Sequence, residues 1–176
     1  MNKLGTQILV IGPSGCGKTS LGQAIAHELN CNFIDADDVH SQEAKECMEA
    51  GIPLTEEQRA PWLNRLKDIL RDSESEGNTT VLAVSCLKRA HRSLLRSSVS
   101  NSLFLFLDLP KDVLQQRLES RESHFFPPAL LESQLNTLEK PGSEEDVVTL
   151  DGTLSVKALC TTSMEIIDEI NHNRTV

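Results

Sequence analysis

The sequence predicts an α/β fold, a parallel five-stranded sheet flanked by helices. Five apolar runs of strand length, at residues 7–11, 32–35, 80–84, 103–107 and 146–150, alternate with helix-length amphipathic stretches. The runs lack the polar alternation of a half-exposed sheet, so they read as strands covered on both faces. A glycine-rich turn at residues 12–19 joins the first run to the first helix.

The elements follow in order. Gln7-Ile8-Leu9-Val10-Ile11 is a buried strand, and a helix occupies about 18–30. After the short strand at 32–35 comes a helical patch at 42–50, stopped by Gly51-Ile52-Pro53. A longer helix spans 56–74, with Thr55 as its N-cap and Pro61 near its first turns. Polar residues 73–78 make a surface loop before the third strand, and a helix at 88–97 follows that strand. The fourth strand ends at Asp108-Leu109-Pro110, and helices at 111–121 and 129–139 come next. The last strand and a helix at 155–170 close the chain. There is no internal repeat or linker, and 176 residues suit one domain, 1–176, with a proper core.

Composition narrows the function. Hydrophobic residues at 39% and charged residues at 24% exclude a disordered chain or a disulfide scaffold. No apolar stretch approaches the ~20 residues of a bilayer span. The apolar run near the N-terminus is cut by Gly12-Pro13, far too short for a signal peptide. No membrane partner and a cytoplasmic location are expected. The formal net charge of −9 disfavours a nucleic-acid partner, and five Phe, one Trp and no Tyr give no base-stacking platform. An anionic ligand therefore needs basic residues gathered locally. Five scattered cysteines without CxxC spacing read as reduced thiols.

Gly12-Pro13-Ser14-Gly15-Cys16-Gly17-Lys18-Thr19 matches G-x-x-x-x-G-K-[ST] between a strand and a helix, a context that a chance glycine-rich turn would lack. Glycines let consecutive backbone N–H groups curl round a phosphate, and the helix N-terminus adds partial positive charge. Gly12, Ser14, Gly15, Cys16, Gly17, Lys18, Thr19 and Ser20 are thus the expected nucleoside-triphosphate-binding residues. Lys18 would reach the β- and γ-phosphates, and the Thr19 hydroxyl would sit on Mg²⁺. No Asn-Lys-x-Asp segment reads guanine, which disfavours a GTPase. The length suits small-molecule kinases of the shikimate-kinase and adenylate-kinase type.

Asp35 and Asp37 follow the second strand, at the sheet edge where α/β proteins bind ligands. If extended geometry persists they point the same way. A kinase acting on an alcohol needs one carboxylate for hydrated Mg²⁺ and another for the acceptor proton. Asp35, with Thr19, is expected at the metal and Asp37 at the acceptor, although the sequence leaves open which lies nearer the ion. The simpler role, an acidic N-cap, falls to Asp38. Lys88, Arg92 and Arg96 recur every fourth residue on one helix face. Lys88 and Arg92 are expected at the ligand, and Arg96 on a solvated basic face. Trp62 reads as a core or helix-packing residue.

Several segments in collinear order resemble the gluconokinase family: the phosphate loop, Asp35-Ala36-Asp37-Asp38-Val39-His40, Gly51-Ile52-Pro53-Leu54 and Arg59-Ala60-Pro61-Trp62-Leu63. Ser85-Cys86-Leu87-Lys88 with Arg92, the segment Arg117 to Phe125, and Leu130 to Pro141 continue the match. The resemblance implies ATP-dependent phosphorylation of D-gluconate at its terminal hydroxyl, giving 6-phosphogluconate. It implies a nucleoside-kinase-like or shikimate-kinase-like three-layer sandwich, with an acceptor segment inserted at roughly 38–75 and a mobile lid at roughly 117–140. A homodimer is implied as well. Carried over by motif, Lys18, Asp37 and Arg121 would be catalytic, Arg117 would lie near adenine, and Asp37, His40, Arg59, Lys88, Arg92 and His124 would contact the acceptor.

Relative to the family pattern, Ser41 replaces Pro, Ala44 and Cys47 replace Asn and Lys, and Glu56 and Gln58 replace aspartates. His91 replaces Tyr and Ser93 replaces Asp. All lie on the acceptor side. Two alternatives therefore stay open: a kinase for another sugar acid, and a nucleotide-binding regulatory protein with weak catalysis.

Overall fold

The computed structural model describes residues 5–121, 127–144 and 146–173. Strands β1 (Gln7–Ile11), β2 (Asn32–Asp35), β3 (Thr80–Val84), β4 (Ser102–Asp108) and β5 (Val147–Asp151) form one parallel sheet in the order β2-β3-β1-β4-β5. Leu9 stands between Leu82 and Phe104, so β1 is paired on both edges. The first three strands fall where the sequence puts them, β4 is one residue longer at each end, and β5 starts one residue later. Asp108 pairs with Asp151, which carries both strands past the expected ends.

Helices cover both faces, giving the three-layer sandwich. Side chains alternate along a strand, so Ile8 and Val10 face one layer and Leu9 and Ile11 the other. The first layer packs α1 (Lys18–Leu29), α5 (Lys111–Glu119), α6 (Pro128–Thr137) and α7 (Val156–Asn173) through Leu21, Leu114, Leu131 and Leu159. The second packs α3 (Glu56–Ser75) and α4 (Arg89–Arg96) through Leu66, Leu70 and Leu95. The short α2 (Gln42–Glu49) begins at Ser41, whose hydroxyl accepts from the Ala44 N–H. Thr55 caps α3 as expected, in a reciprocal capping box with Gln58. Among the described residues no helix is long and apolar enough to cross a membrane.

The α4 stripe departs from expectation. Arg92 is 1% exposed, and its guanidinium binds Glu144 at 2.7 Å and the carbonyls of Cys86 and Leu87 at 3.3 Å each. It points into the protein and does not line the cavity described below. Arg96 is no solvated residue either: it pairs with Asp146 at 2.7 Å and Glu144 at 2.9 Å, over the Phe104 ring. Lys88, the residue before α4, bonds to Glu56 at 2.7 Å. The four-residue spacing made a face, but the face meets carboxylates of the chain itself.

The Arg92 guanidinium, followed by that of Arg96, holds the Glu144 carboxyl at about 2, below its ordinary 4.5. A depressed folded-state pKa contributes stability that is present above the unfolded value and lost as pH falls through the folded one. Glu144→Gln should lower the unfolding free energy at pH 7 by about 2–3 kcal/mol. In urea unfolding, the gap from wild type should narrow as pH falls from 4.5 toward 2. An equal gap at pH 7 and pH 3 would assign the stabilisation to shape and not to charge.

Candidate active site

The phosphate loop joins β1 to α1. Gly12, Gly15 and Gly17 have φ of 145°, 86° and 98°, a region costly for other residues. A Cβ on Gly15 would stand 2.9 Å from Leu118 Cγ, so α5 packs directly against the loop. The backbone divides its donors. Gly12 N–H goes to Ser85 O, Cys16 N–H to Pro13 O and Ser14 N–H to the Gln134 carboxamide oxygen. The N–H groups of Gly15, Gly17, Lys18, Thr19 and Ser20 have no acceptor among the described residues. That fan of free donors at a helix N-terminus is an anion cradle. Lys18 Nζ rests on Pro13 O at 3.1 Å, and Arg117 ties the loop to the end of β5 through Cys16 O and Gly152 O.

The carboxylates arrange themselves differently from the extended pair expected. The strand ends at Asp35, whose Oδ1 accepts the Asp37 N–H and starts a 3₁₀ turn at Ala36–Val39. Asp35, not Asp38, is therefore the cap. Its other oxygen accepts from the Thr19 hydroxyl at 2.8 Å. This pair of hard oxygens beside the cradle suits Mg²⁺, which takes few protein ligands along with phosphate oxygens and water. Asp37 is exposed on the cavity. Desolvation raises its pKa, as do Asp35 and Asp38, while Lys18 and Lys45 oppose the shift.

A cavity of about 540 Å³ lies beside this edge, the size of a small-ligand pocket. It brings together Ser14, Thr19, Asp35, Asp37, His40, Arg59 and Arg121 from the expected site. Lys88 and Arg92 do not line it. Lys88 reaches it only through Glu56, which also binds Arg59 at 3.0 Å and His91 at 2.9 Å. Lys88 and His91, by hydrogen bonding, pull the Glu56 carboxyl down to about 2. His124 lies outside the described residues.

His40 stacks on Trp62 with ring centroids 4.2 Å apart, and Trp62 Nε1 donates to Ala36 O at 2.7 Å. Trp62 is thus a packing residue that also walls the cavity. His40 Nδ1 is buried with no hydrogen-bond partner among the described residues. Burial, then Arg59, Arg65 and Lys45, lower the imidazole pKa to about 4, so His40 is neutral at pH 7.

The rest of the wall was missed in the sequence. Leu130, Ser133, Gln134 and Thr137 are one face of α6, and the i, i+3, i+4, i+7 spacing was the available signal. Ser85 and Cys86 come from the turn after β3, where buried Cys86 has a left-handed φ of 46°. Burial pushes its thiol up to about 12, so it is inert.

Known proteins with this arrangement are close in sequence. A family model described as an AAA domain matches residues 8–141. The gluconokinase of Gluconobacter oxydans is 41% identical over 145 residues, 82% of each chain. The thermosensitive gluconokinase of Escherichia coli is 35% identical over 171 residues, covering 97% of this chain and 91% of that one. The chain belongs to the gluconokinase family. A crystal structure of a gluconokinase from Sinorhizobium meliloti superposes with a TM-score of 0.87 at 34% identity, covering 98% of this chain and 97% of that one. The gluconokinase resemblance read from the motifs therefore holds for sequence and fold together.

Trp62 is the one tryptophan in the chain, and it reports on His40 directly. Protonated imidazole quenches a stacked indole. Emission should titrate with a midpoint near 4, where His40 gains its proton, and His40→Asn should remove the transition. A midpoint near 6.5 would mean that His40 is not desolvated.

Proposed function

We propose that the protein transfers the γ-phosphoryl group of ATP to the terminal hydroxyl of D-gluconate, giving 6-phospho-D-gluconate and ADP. The observation that carries this reading is a single cavity bounded by the phosphate loop on one side and by Asp37, His40 and Arg59 on the other. Gluconokinase relatives over most of the chain supply the acceptor's identity.

The free N–H groups of Gly15, Gly17, Lys18, Thr19 and Ser20 and the Lys18 ammonium bind the β- and γ-phosphates. Arg121 faces the cavity without an ion-pair partner among the described residues and is available to the transferring phosphoryl oxygens. Arg117 secures the loop from behind, on the side assigned to adenine. Thr19 and Asp35 would hold Mg²⁺, which supplies charge neutralisation on the phosphates.

On the acceptor side Arg59 takes the gluconate carboxylate. The neutral His40 ring lines the acceptor side of the cavity and can hydrogen-bond a polyol hydroxyl, which rewards a hydroxylated acid over an apolar one. Asp37 orients the terminal hydroxyl and accepts its proton as the new O–P bond forms and the bond to ADP breaks. Desolvation makes Asp37 a better base than a free aspartate. Lys88 acts on the site through Glu56. The proposal extends to a cytoplasmic enzyme whose lid spans roughly 117–140, with homodimerisation implied by family resemblance alone.

A coupled ADP-release assay with Mg-ATP should respond to D-gluconate ahead of other aldonates, shikimate and nucleoside monophosphates. Preference for another aldonate would move the substrate within the sugar acids. ATP binding with silence across the panel would favour a regulatory protein. Asp37→Asn should cut turnover by about 10²–10⁴-fold while nucleotide affinity stays within about threefold. Arg59→Ala should raise the gluconate KM at least about tenfold with a smaller effect on kcat.

A further inference from the structure

The N–H of Ser14 is withheld from the phosphate fan by one side chain from the far end of the domain. Gln134 Oε1 accepts it at 2.7 Å, and Gln134 Nε2 donates to Ser14 Oγ at 3.0 Å. Two reciprocal bonds to one residue fix position and orientation together, which a single contact does not. The helix that carries Gln134 has two faces. Leu131 is buried in the core and Leu135 packs against it, while Leu130, Ser133 and Thr137 line the cavity. Gln134 is therefore the point at which the α6 wall of the cavity grips the phosphate loop.

We propose that Gln134 is a positioning residue for phosphoryl transfer, setting the α6 wall of the cavity in register with the γ-phosphate through Ser14. The inference rests on the kinase reading above and adds a residue to it. Register matters because the nucleophile and phosphorus must meet in line, and a shift of about 1 Å costs on the order of 100-fold in rate. The same grip keeps water out of the space between wall and loop. A loosened wall admits water as a rival acceptor, and ATP is then hydrolysed without making product.

The test measures gluconate phosphorylation and gluconate-independent ATP hydrolysis in parallel on the full chain with Mg-ATP. Gln134→Ala should lower kcat for transfer by about 10–100-fold, leave the ATP KM within about threefold, and raise the hydrolysis-to-transfer ratio at least about tenfold. Gln134→Asn, one methylene too short, should behave like the alanine variant. Gln134→Glu still accepts from the Ser14 N–H, and the Ser14 hydroxyl can donate to it, so the ratio should return toward wild type even if added negative charge weakens ATP binding. Hydrogen exchange at the Ser14 amide should be slow in wild type and Gln134→Glu, and fast in Gln134→Ala. Transfer within twofold of wild type in Gln134→Ala overturns the proposal. So does a transfer loss with an unchanged ratio and a lower melting temperature, which would make the contact structural only. If wild type phosphorylates no acceptor, the kinase reading falls. Gln134 is then judged on ATP hydrolysis alone, and no rise in Gln134→Ala rejects the positioning role.

Discussion

A guanidinium shut away from water must find all its partners inside the protein, and at Arg92 that requirement joins three pieces of chain. The distant piece is Glu144, 52 residues on and ahead of β5. The Cys86 and Leu87 carbonyls lie in the turn after β3 that leads into α4 itself, so the joined pieces are that turn, α4 and the approach to β5. Leaving any of these donors unpaired would cost more than the bond itself contributes. The turn it braces is the one that forms the cavity wall with Ser85 and the left-handed Cys86. Glu139 adds to the brace, its N–H donating to Leu87 O and its carboxylate accepting from Arg89 N–H. A residue that does not line the cavity thus governs its shape.

Charge is arranged with similar economy. The chain as a whole is acidic, yet the cavity sets Lys45, Arg59 and Arg121 against Asp35, Asp37, Asp38 and Glu49, with Lys18 acting on Asp37 from the loop. Walls so near balance do not trap an anion by field alone. They select a ligand that brings its own cation, as a magnesium nucleotide does, and leave the finer discrimination to directed hydrogen bonds. Glu56 fills the matching role on the acceptor side, holding Arg59, Lys88 and His91 at one carboxylate.

The sheet, its parallel sense and the phosphate loop were legible because each is written in local sequence. An apolar run without alternation, a glycine spacing and a capping threonine need no knowledge of what lies across the fold. Arg92 shows where that ends. Its spacing from Lys88 and Arg96 defined a helix face, but the face's partner, Glu144, is 52 residues away. Asp37 was found by motif, yet its geometry turned on the Asp35 side chain capping a 3₁₀ turn where extended backbone was expected. Gln134 carried a helical pattern that could be read, but its partner Ser14 lies 120 residues back and leaves no local trace. Long-range polar pairing is the part of the site that periodicity does not encode.

The strand order carries a consequence for how the chain is made. β1 is the first strand to be synthesised and sits in the middle of the sheet, between β3 and β4. Its N–H and C=O groups pair with Thr80–Val84 on one edge and Ser102–Phe106 on the other. A nascent chain that has emerged only as far as α3 therefore displays an apolar strand with both edges open, the kind of segment that invites mispairing. Only when residue 106 has cleared the ribosome can the centre of the sheet close.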